Sequence, residues 1–484
     1  MQHINGVWIK GLGESHLLYD PVTGLAQGKF SAASLSQAEH ALAAATEASM
    51  TWARTSLEAR ISIINRFALL LNDARDRVAR AISEETAKPL WETQAEVTTM
   101  INKAAISIEA YHQRTGEIRR DFPGYVSVTR HRPLGVMLVL GPFNFPGHLP
   151  NGYIMPALLA GNTLVFKPSE YTPKTATIMT ELWEEAGLPA GVLNLVLGDG
   201  HLGSFLVTHP QTRGIFFTGS YRTGKAIHAL CGGYPEKLLA LEMGGNNPLI
   251  VWDVADIKAA VYTIIQSSFI SAGQRCTCAK RLILPSGVQG EQIINTLISA
   301  IQKIRVGDWR LTPEPFMGGV ISAAAAKTWL ALQDSWLSQG GKPLLRMTQL
   351  KGNTGLLSPG LIDVTESISL ADEECFGPLL SVIRVSGIEA AFKKANDTEY
   401  GLVAGLLSDD PALYEAFSHT VRAGVLNWNR PTTGATSVAP FGGLGHSGNF
   451  RPAGYYTADH CAYPVASNQT ERLKQSDTLL PGLS

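Results

Sequence analysis

Two short segments carry side chains able to make and break an acyl bond. Gly273-Gln-Arg-Cys276 offers a thiol, and Glu242-Met-Gly-Gly245 offers a carboxylate followed by two glycines. An ionised cysteine attacks a carbonyl carbon readily. A carboxylate can then activate the water that cleaves the thioester left behind. The glycines after Glu242 permit close approach of backbone to a ligand. A third segment, Gly141-Pro-Phe-Asn-Phe-Pro146, supplies Asn144, whose amide can hold an oxyanion. Thiol, base and amide donor together point to conversion of an aldehyde to an acid. The alternative for Cys276 is an inert buried thiol. Its polar neighbours Gln274, Arg275 and Thr277, with Lys280 and Arg281 nearby, favour a depressed pKa and reactivity.

Such groups need elements to hold them. Leu134 to Leu140 is a continuous apolar run, as expected of a strand buried on both faces. Strand candidates follow at 163–166, 193–197 and 214–218, alternating with helical stretches near 174–186, 203–207 and 223–231. That order predicts an open parallel sheet with helices on both faces, of Rossmann type. After Glu242 the pattern restarts with Pro248 to Val251 and a helix to about Ser271, marking a domain boundary. Residues 36–50, 57–82 and 92–111 read as helices. Tyr125 to Arg130 alternates as a strand with one exposed face, and 461–466 reads as a final strand. The tail 468–484 is polar and weakly patterned.

Two glycine-rich turns compete as a phosphate site. Gly198-Asp-Gly-His-Leu-Gly203 fits the dinucleotide spacing but lacks the acidic residue expected about 20 positions on; a tight strand-to-helix turn is the favoured reading. Gly219-Ser-Tyr-Arg-Thr-Gly224 also links a strand to a helix, and its backbone N–H groups with Ser220 and Thr223 can meet a pyrophosphate. After another strand, Lys167 can donate to ribose hydroxyls. Glu170 can accept from the adenosine 2′-hydroxyl and repel a 2′-phosphate, favouring NAD over NADP. A solvated Lys–Glu pair is the alternative.

These segments, with Lys167-Pro-Ser-Glu170, Phe217-Thr-Gly-Ser220, Glu374-Cys-Phe-Gly-Pro378 and Asn396-Asp-Thr-Glu-Tyr-Gly-Leu402, run nearly end to end in an order that resembles the aldehyde dehydrogenase superfamily. The resemblance implies an NAD-binding sheet domain over 1–118 and 133–242. It implies an α/β catalytic domain over 243–445, and a small β bridging arm over 119–132 and 455–484 that includes the C-terminal tail. It places the cofactor at the Gly219–Gly224 turn and gives Glu374 and Phe376 contacts with the nicotinamide ribose. The arm implies a homodimer or a dimer of dimers. The base at Glu242 favours hydrolysis to a free acid over transfer to coenzyme A.

Local sequences at 85–93, 145–152, 242–248, 427–431 and 441–452 narrow the resemblance to a branch acting on a semialdehyde with two further carboxylates, from arginine degradation by the succinyl route. Ala87 stands where that branch commonly has glycine. His446 and Phe450 occupy variable positions expected to lie in a substrate-side loop. Carboxylates entering a buried funnel need cationic partners, and Arg275, Arg430 and Arg451 are the candidates. Another semialdehyde, of glutamate or succinate, is the near alternative; a non-catalytic NAD-binding or structural protein is the distant one.

Bulk properties narrow the remaining classes. At 484 residues, with 45% hydrophobic and 17% charged residues, the chain is expected to form a soluble protein of two or three domains. A net charge of −1 gives no drive toward nucleic acid or anionic membrane. No apolar run reaches membrane-spanning length, and no secretory signal is visible. Five scattered cysteines argue for free thiols in a reducing, cytoplasmic compartment, and no His/Cys spacing resembles a zinc site. Cys276 and Cys278 are close enough in sequence to form a strained redox pair, against the simpler reading of Cys278 as a buried small side chain.

Overall fold

The computed structural model describes every residue except Ile368, Ser369, Lys474, Ser476, Asp477, Leu479 and Ser484, so part of the expected polar tail lies outside the described residues. Two seven-stranded sheets organise the chain. The first runs, edge to edge, through Leu238–Met243, Thr212–Gly219, Val136–Leu140, Thr163–Lys167, Leu193–Leu195, Gln2–Ile4 and Val7–Ile9. Its first five strands are mutually parallel and the N-terminal pair is antiparallel. Val136–Leu140 and Thr163–Lys167 are buried at every position, which explains their uninterrupted apolar or stem-burying side chains.

Chain order reverses between Val136–Leu140 and Thr212–Gly219, which lie side by side although the chain leaves the first toward Thr163–Lys167. Loops leaving the carboxyl ends of strands at such a switch diverge to opposite faces and open a crevice. The loops after Leu140, Lys167, Gly219 and Met243 all meet there.

The second sheet is ordered Lys342–Leu345, Gly360–Asp363, Leu379–Val385, Ala279–Pro285, Asn247–Val251, Val403–Leu407 and Val425–Trp428, parallel except for its first strand. Met243, next to Glu242, ends the last strand of the first sheet and Asn247 begins the second sheet, so the carboxyl edge of one faces the amino edge of the other. A three-stranded antiparallel sheet of Ile118–Phe122, Tyr125–Pro133 and Ala462–Gln469 projects separately. This is the expected α/β architecture with a small β arm.

The structure revises several boundaries. The helical run expected over 57–82 is two helices, Leu57–Asp73 and Arg75–Thr86, broken at Ala74. Their buried residues Ile64, Phe67, Leu71, Val78 and Ile82 stay in one helical phase across the break, so periodicity hides it. Ala87 ends the second helix at φ +61, the left-handed conformation for which glycine is preferred. The helix expected to reach Ser271 stops at Phe269. The two N-terminal strands were not anticipated. Their connection, Asn5-Gly6 with φ +52 and +76, is the turn that two-residue hairpins favour.

Candidate active site

A single cavity of about 1490 Å³ holds the chemistry. Asn144, Glu242 and Cys276 line it together with Lys167, Glu170, Gly219, Ser220, Thr223, Glu374 and Phe376. Gly224 lies behind this wall, where a Cβ would stand 2.4 Å from Met243 Sδ. A side chain there would push the helix Tyr221–Cys231 off the strand that carries Glu242.

That helix opens toward the cavity. Ser220 caps it, accepting from Thr223 N at 3.3 Å, with its hydroxyl 3.1 Å from Thr223 Oγ1. Lys167 is buried, and its Nζ donates to Pro168 O at 2.9 Å and Gly198 O at 2.8 Å. Burial lowers its pKa, while the Glu170 and Asp199 charges oppose that shift. The Gly198–Gly203 turn is a capped helix start: Asp199 accepts from His201 N and Leu202 N. Its residues also wall the cavity, and a Cβ on Gly203 would lie 3.6 Å from Lys167 Cε. The turn favoured as merely structural is therefore also part of this wall.

The thiol sits on a strained loop. Ser271, Ala272 and Gly273 are consecutively left-handed, with φ of 55, 53 and 72, a conformation that needs surrounding contacts to hold it. A Cβ on Gly273 would be 2.1 Å from Gly377 O. Lys280 Nζ donates to Gly273 O at 2.5 Å, and Gln274 Oε1 accepts from Ile321 N at 2.9 Å. Asn247 Nδ2 donates to Cys276 O at 2.6 Å and to Cys278 O at 2.9 Å. Asn144 Nδ2 donates to Gln274 O at 2.9 Å, holding the amide beside the thiol segment. The backbone of Asn144 is fixed in turn: its O accepts from Lys88 Nζ at 2.7 Å, and Lys88 forms a buried ion pair with Glu96 at 2.5 Å.

Electrostatics differ from the sequence expectation. Lys280 and Arg281 turn away from the thiol, Arg281 donating to the carbonyls of Asn246, Lys394, Ala395 and Asp397. Burial, with the Glu374 and Glu242 charges, raises the Cys276 pKa, and Arg275 only partly offsets this. Burial also drives the Glu242 carboxyl well above the usual range, against a backbone hydrogen bond from Ala453. Glu242 Oε2 has no hydrogen-bond partner among the described residues. Glu374 accepts from Gly245 N at 3.1 Å and is pushed by burial to about 7. Phe376 packs edge-on to Phe143, ring centres 5.8 Å apart. Cys278 is fully buried and donates to Ile270 O at 3.8 Å, the setting of a packed thiol.

The three arginines are not gathered as carboxylate receptors. Arg430 and Arg451 are exposed and outside the cavity wall. Arg275 reaches the wall, but its guanidinium pairs with Glu92 at 2.9 Å and donates to Ser271 Oγ at 2.8 Å. The side chain of His446 does not reach the cavity wall either. It stacks on Tyr221 at 3.7 Å, beside the capped helix, and meets Tyr400 edge-on. Phe450 is 72% exposed. Sequence reasoning missed Tyr153, a buried phenol bonded to Thr218 Oγ1 at 3.1 Å and within the fields of Glu242 and Cys276. It also missed the positioning groups Glu92, Lys88 and Asn247. All three lie inside the segments 85–93 and 242–248, but nothing in the sequence joins them to the thiol.

Among the described residues no cluster of His, Cys, Asp or Glu could hold a metal, and no helix is long and apolar enough to cross a membrane. The profile of the Aldehyde dehydrogenase family matches residues 8–464. The N-succinylglutamate 5-semialdehyde dehydrogenase of Ectopseudomonas mendocina is 52% identical over 482 residues, covering 100% of this chain and 99% of its own. The enzyme of the same name from Photorhabdus laumondii is 51% identical over 481 residues, 99% and 98% of the two chains. A Sinorhizobium meliloti 1021 structure assigned as a methylmalonate-semialdehyde dehydrogenase, solved with NAD, superposes with a TM-score of 0.93 at 26% identity over 98% of each chain. With the thiol, amide and carboxyl gathered on one cavity and a match that spans both sheets, the chain belongs to the aldehyde dehydrogenase family and is an aldehyde-oxidising oxidoreductase.

Proposed function

We propose that this enzyme oxidises N-succinylglutamate 5-semialdehyde to N-succinylglutamate with NAD, in arginine catabolism. The observation that carries the chemistry is the convergence of Asn144, Glu242 and Cys276 on a cavity that continues without interruption to Lys167, Glu170 and Ser220. Near-full-length identity of 51–52% to enzymes named for that substrate supports the choice of aldehyde.

The donor set fits a dinucleotide. A capped helix start at Ser220 suits a pyrophosphate, and the buried Lys167 ammonium beside Glu170 suits ribose hydroxyls. Residues Gly219, Ser220, Thr223 and Gly224 would hold the phosphates, Lys167 and Glu170 the adenosine ribose, and Glu374 and Phe376 the nicotinamide ribose. NAD, when bound, supplies the acceptor for the hydride lost by the tetrahedral carbon.

The protein does the rest. Cys276 Sγ, once its proton has left, bonds to the aldehyde carbon. The Asn144 amide and the Cys276 N–H hold the resulting oxyanion. Oxidation leaves a thioester. Glu242 takes a proton from water, the water oxygen adds to the acyl carbon, and the C–S bond breaks to return the thiol. Burial raises the pKa of both Cys276 and Glu242, and each acts only after losing a proton, so turnover rises with pH over the range in which they ionise.

The domain reading belongs to the same proposal: residues 1–118 and 133–242 bind NAD, 243–445 carry the thiol, and 119–132 with 455–484 form an arm that pairs subunits into a homodimer or a dimer of dimers. The exposed strand Ile118–Phe122 at the edge of that arm supports the last point. Five free thiols support a cytoplasmic location. The test is NAD reduction with the succinylated semialdehyde beside glutamate semialdehyde, succinate semialdehyde and a neutral aliphatic aldehyde. A large advantage in kcat/KM for the first is expected; equal values on all would remove the substrate assignment and leave the oxidation.

A further inference from the structure

The search for a carboxylate partner leads away from the arginines to the helix Leu90–Thr115. Thr99 and Lys103, one turn apart on it, both face the cavity. Lys103 is 2% exposed, and no ion pair among the described residues includes it. Its Nζ has one long contact, donating to Gly454 O at 3.3 Å. The same helix neutralises another buried ammonium in the usual way, Glu96 pairing with Lys88 at 2.5 Å. The fold therefore has the means to compensate a buried lysine and leaves Lys103 without it. A buried cation without a counter-charge is costly unless something arrives to pair with it.

The surroundings keep its end open. Gly152 lies opposite, where even a Cβ would stand 3.5 Å from Lys103 Cε and 4.0 Å from Nζ, so a larger side chain would cover the ammonium. One turn before Gly152, His148 presents a buried Nδ1 with no hydrogen-bond partner among the described residues. Burial and the positive neighbours Lys103, Lys88 and Arg275 hold His148 neutral, its pKa near 3. Of those neighbours, Lys88 and Arg275 are already matched by Glu96 and Glu92. Of the three, Lys103 alone has no carboxylate partner among the described residues. Burial brings its own pKa down to about 8, so it remains largely charged at neutral pH.

We infer that Lys103 is the specificity-determining residue of the aldehyde funnel, its Nζ donating to a carboxylate of the substrate in the space that Gly152 leaves free. This rests on the proposed carboxylate-bearing substrate. It assigns recognition to a lysine on the helix Leu90–Thr115 instead of to an arginine on a loop.

The test compares wild type with Lys103→Met and Lys103→Gln on matched aldehydes, succinate semialdehyde and the succinylated substrate against a neutral aldehyde of similar length. The ratio of kcat/KM for carboxylated over neutral aldehyde should fall by roughly 30-fold or more in both variants, through the KM of the carboxylated substrates. Thermal midpoints should be equal to wild type or higher, since an uncompensated charge is removed. An unchanged ratio would overturn the inference. A parallel fall on all aldehydes through kcat would do so too, since Lys103 would then act through the Gly454 segment on Glu242. The wild-type preference for the succinylated substrate over succinate semialdehyde judges the substrate reading separately, because the charged-to-neutral ratio does not depend on it.

Discussion

The cofactor end and the thiol end of the cavity are built by different means. At the phosphate and adenosine part of the cofactor end the contacts are local: Ser220 caps the helix that begins one residue later, and Lys167 is held by carbonyls at the ends of its own and the next strand. At the thiol end almost nothing is local. The thiol loop from Ser271 to Cys278, with its three left-handed residues, is held by Glu92, Asn247, Lys280, Gly319, Ile321 and Gly377, drawn from five separate parts of the chain. A binding surface can be assembled from standard strand and helix ends. A nucleophile held off its relaxed backbone needs contacts from many directions.

The sharpest test of this contrast is the thiol. Cys276→Ser should lower aldehyde oxidation by at least about a thousandfold while NAD binding is kept, because the other groups act only through the bond that sulfur makes. Titration of NAD by fluorescence beside steady-state rates checks both halves. Lost NAD binding would mean that the two ends are not independent.

Glu242 gives the next effect. Its pKa is raised by burial, so the basic form grows as pH rises and thioester hydrolysis should climb with it. Glu242→Gln should cost roughly 10²–10⁴-fold in turnover and remove that rise. A burst of NADH equivalent to one active site should remain. A variant with the same pH slope as wild type would assign the slope to Cys276.

Asn247 tests whether remote clamps matter. Asn247→Ala leaves the carbonyls of Cys276 and Cys278 without their buried donor and Val403 N–H without its acceptor. Unmet buried groups of this kind cost about 1–3 kcal/mol each, so the loop should relax and turnover fall by about a hundredfold. Retention of NAD affinity in the variant, measured by calorimetry, would sharpen the contrast; equal loss at both ends would break it.

The same contrast explains what the sequence made readable. The four inner strands of the first sheet were legible because they are largely buried and their turns carry consecutive signals, as at Gly219–Gly224, whereas the edge strand Leu238–Met243 that carries Glu242 and the N-terminal pair were not read as strands. Asn5-Gly6 is an equally plain turn signal, joining the N-terminal strand pair. The break at Ala74 was not legible, since the apolar stripe runs through it in phase. Cys276, Glu242 and Asn144 could be named from their frames, but their charge state could not. The positive residues beside Cys276 in sequence point elsewhere in space: Lys280 to Gly273 O, Arg281 to the 394–397 carbonyls, Arg275 to Glu92. Sequence neighbours predict charge, while side-chain direction decides which atom feels it. The arginines offered for the substrate failed to meet at the cavity for the same reason.

The smallest expected effect lies at the cofactor end, where a local device should fail locally. Ser220→Ala removes the acceptor for Thr223 N and the hydroxyl facing Thr223 Oγ1. Loss of such a cap costs about 1 kcal/mol, so NAD should bind less than about tenfold more weakly. The KM for aldehyde should stay as in wild type, because Ser220 makes no contact with the thiol loop. Glu170→Gln at the same end should leave NAD affinity nearly intact and raise use of NADP, since it removes the carboxylate that would repel a 2′-phosphate. Steady-state kinetics with both cofactors separates the outcomes. A Ser220→Ala variant that lost aldehyde affinity along with NAD would show that the helix start also braces the thiol loop, and the division between a locally built cradle and a remotely clamped nucleophile would have to be redrawn.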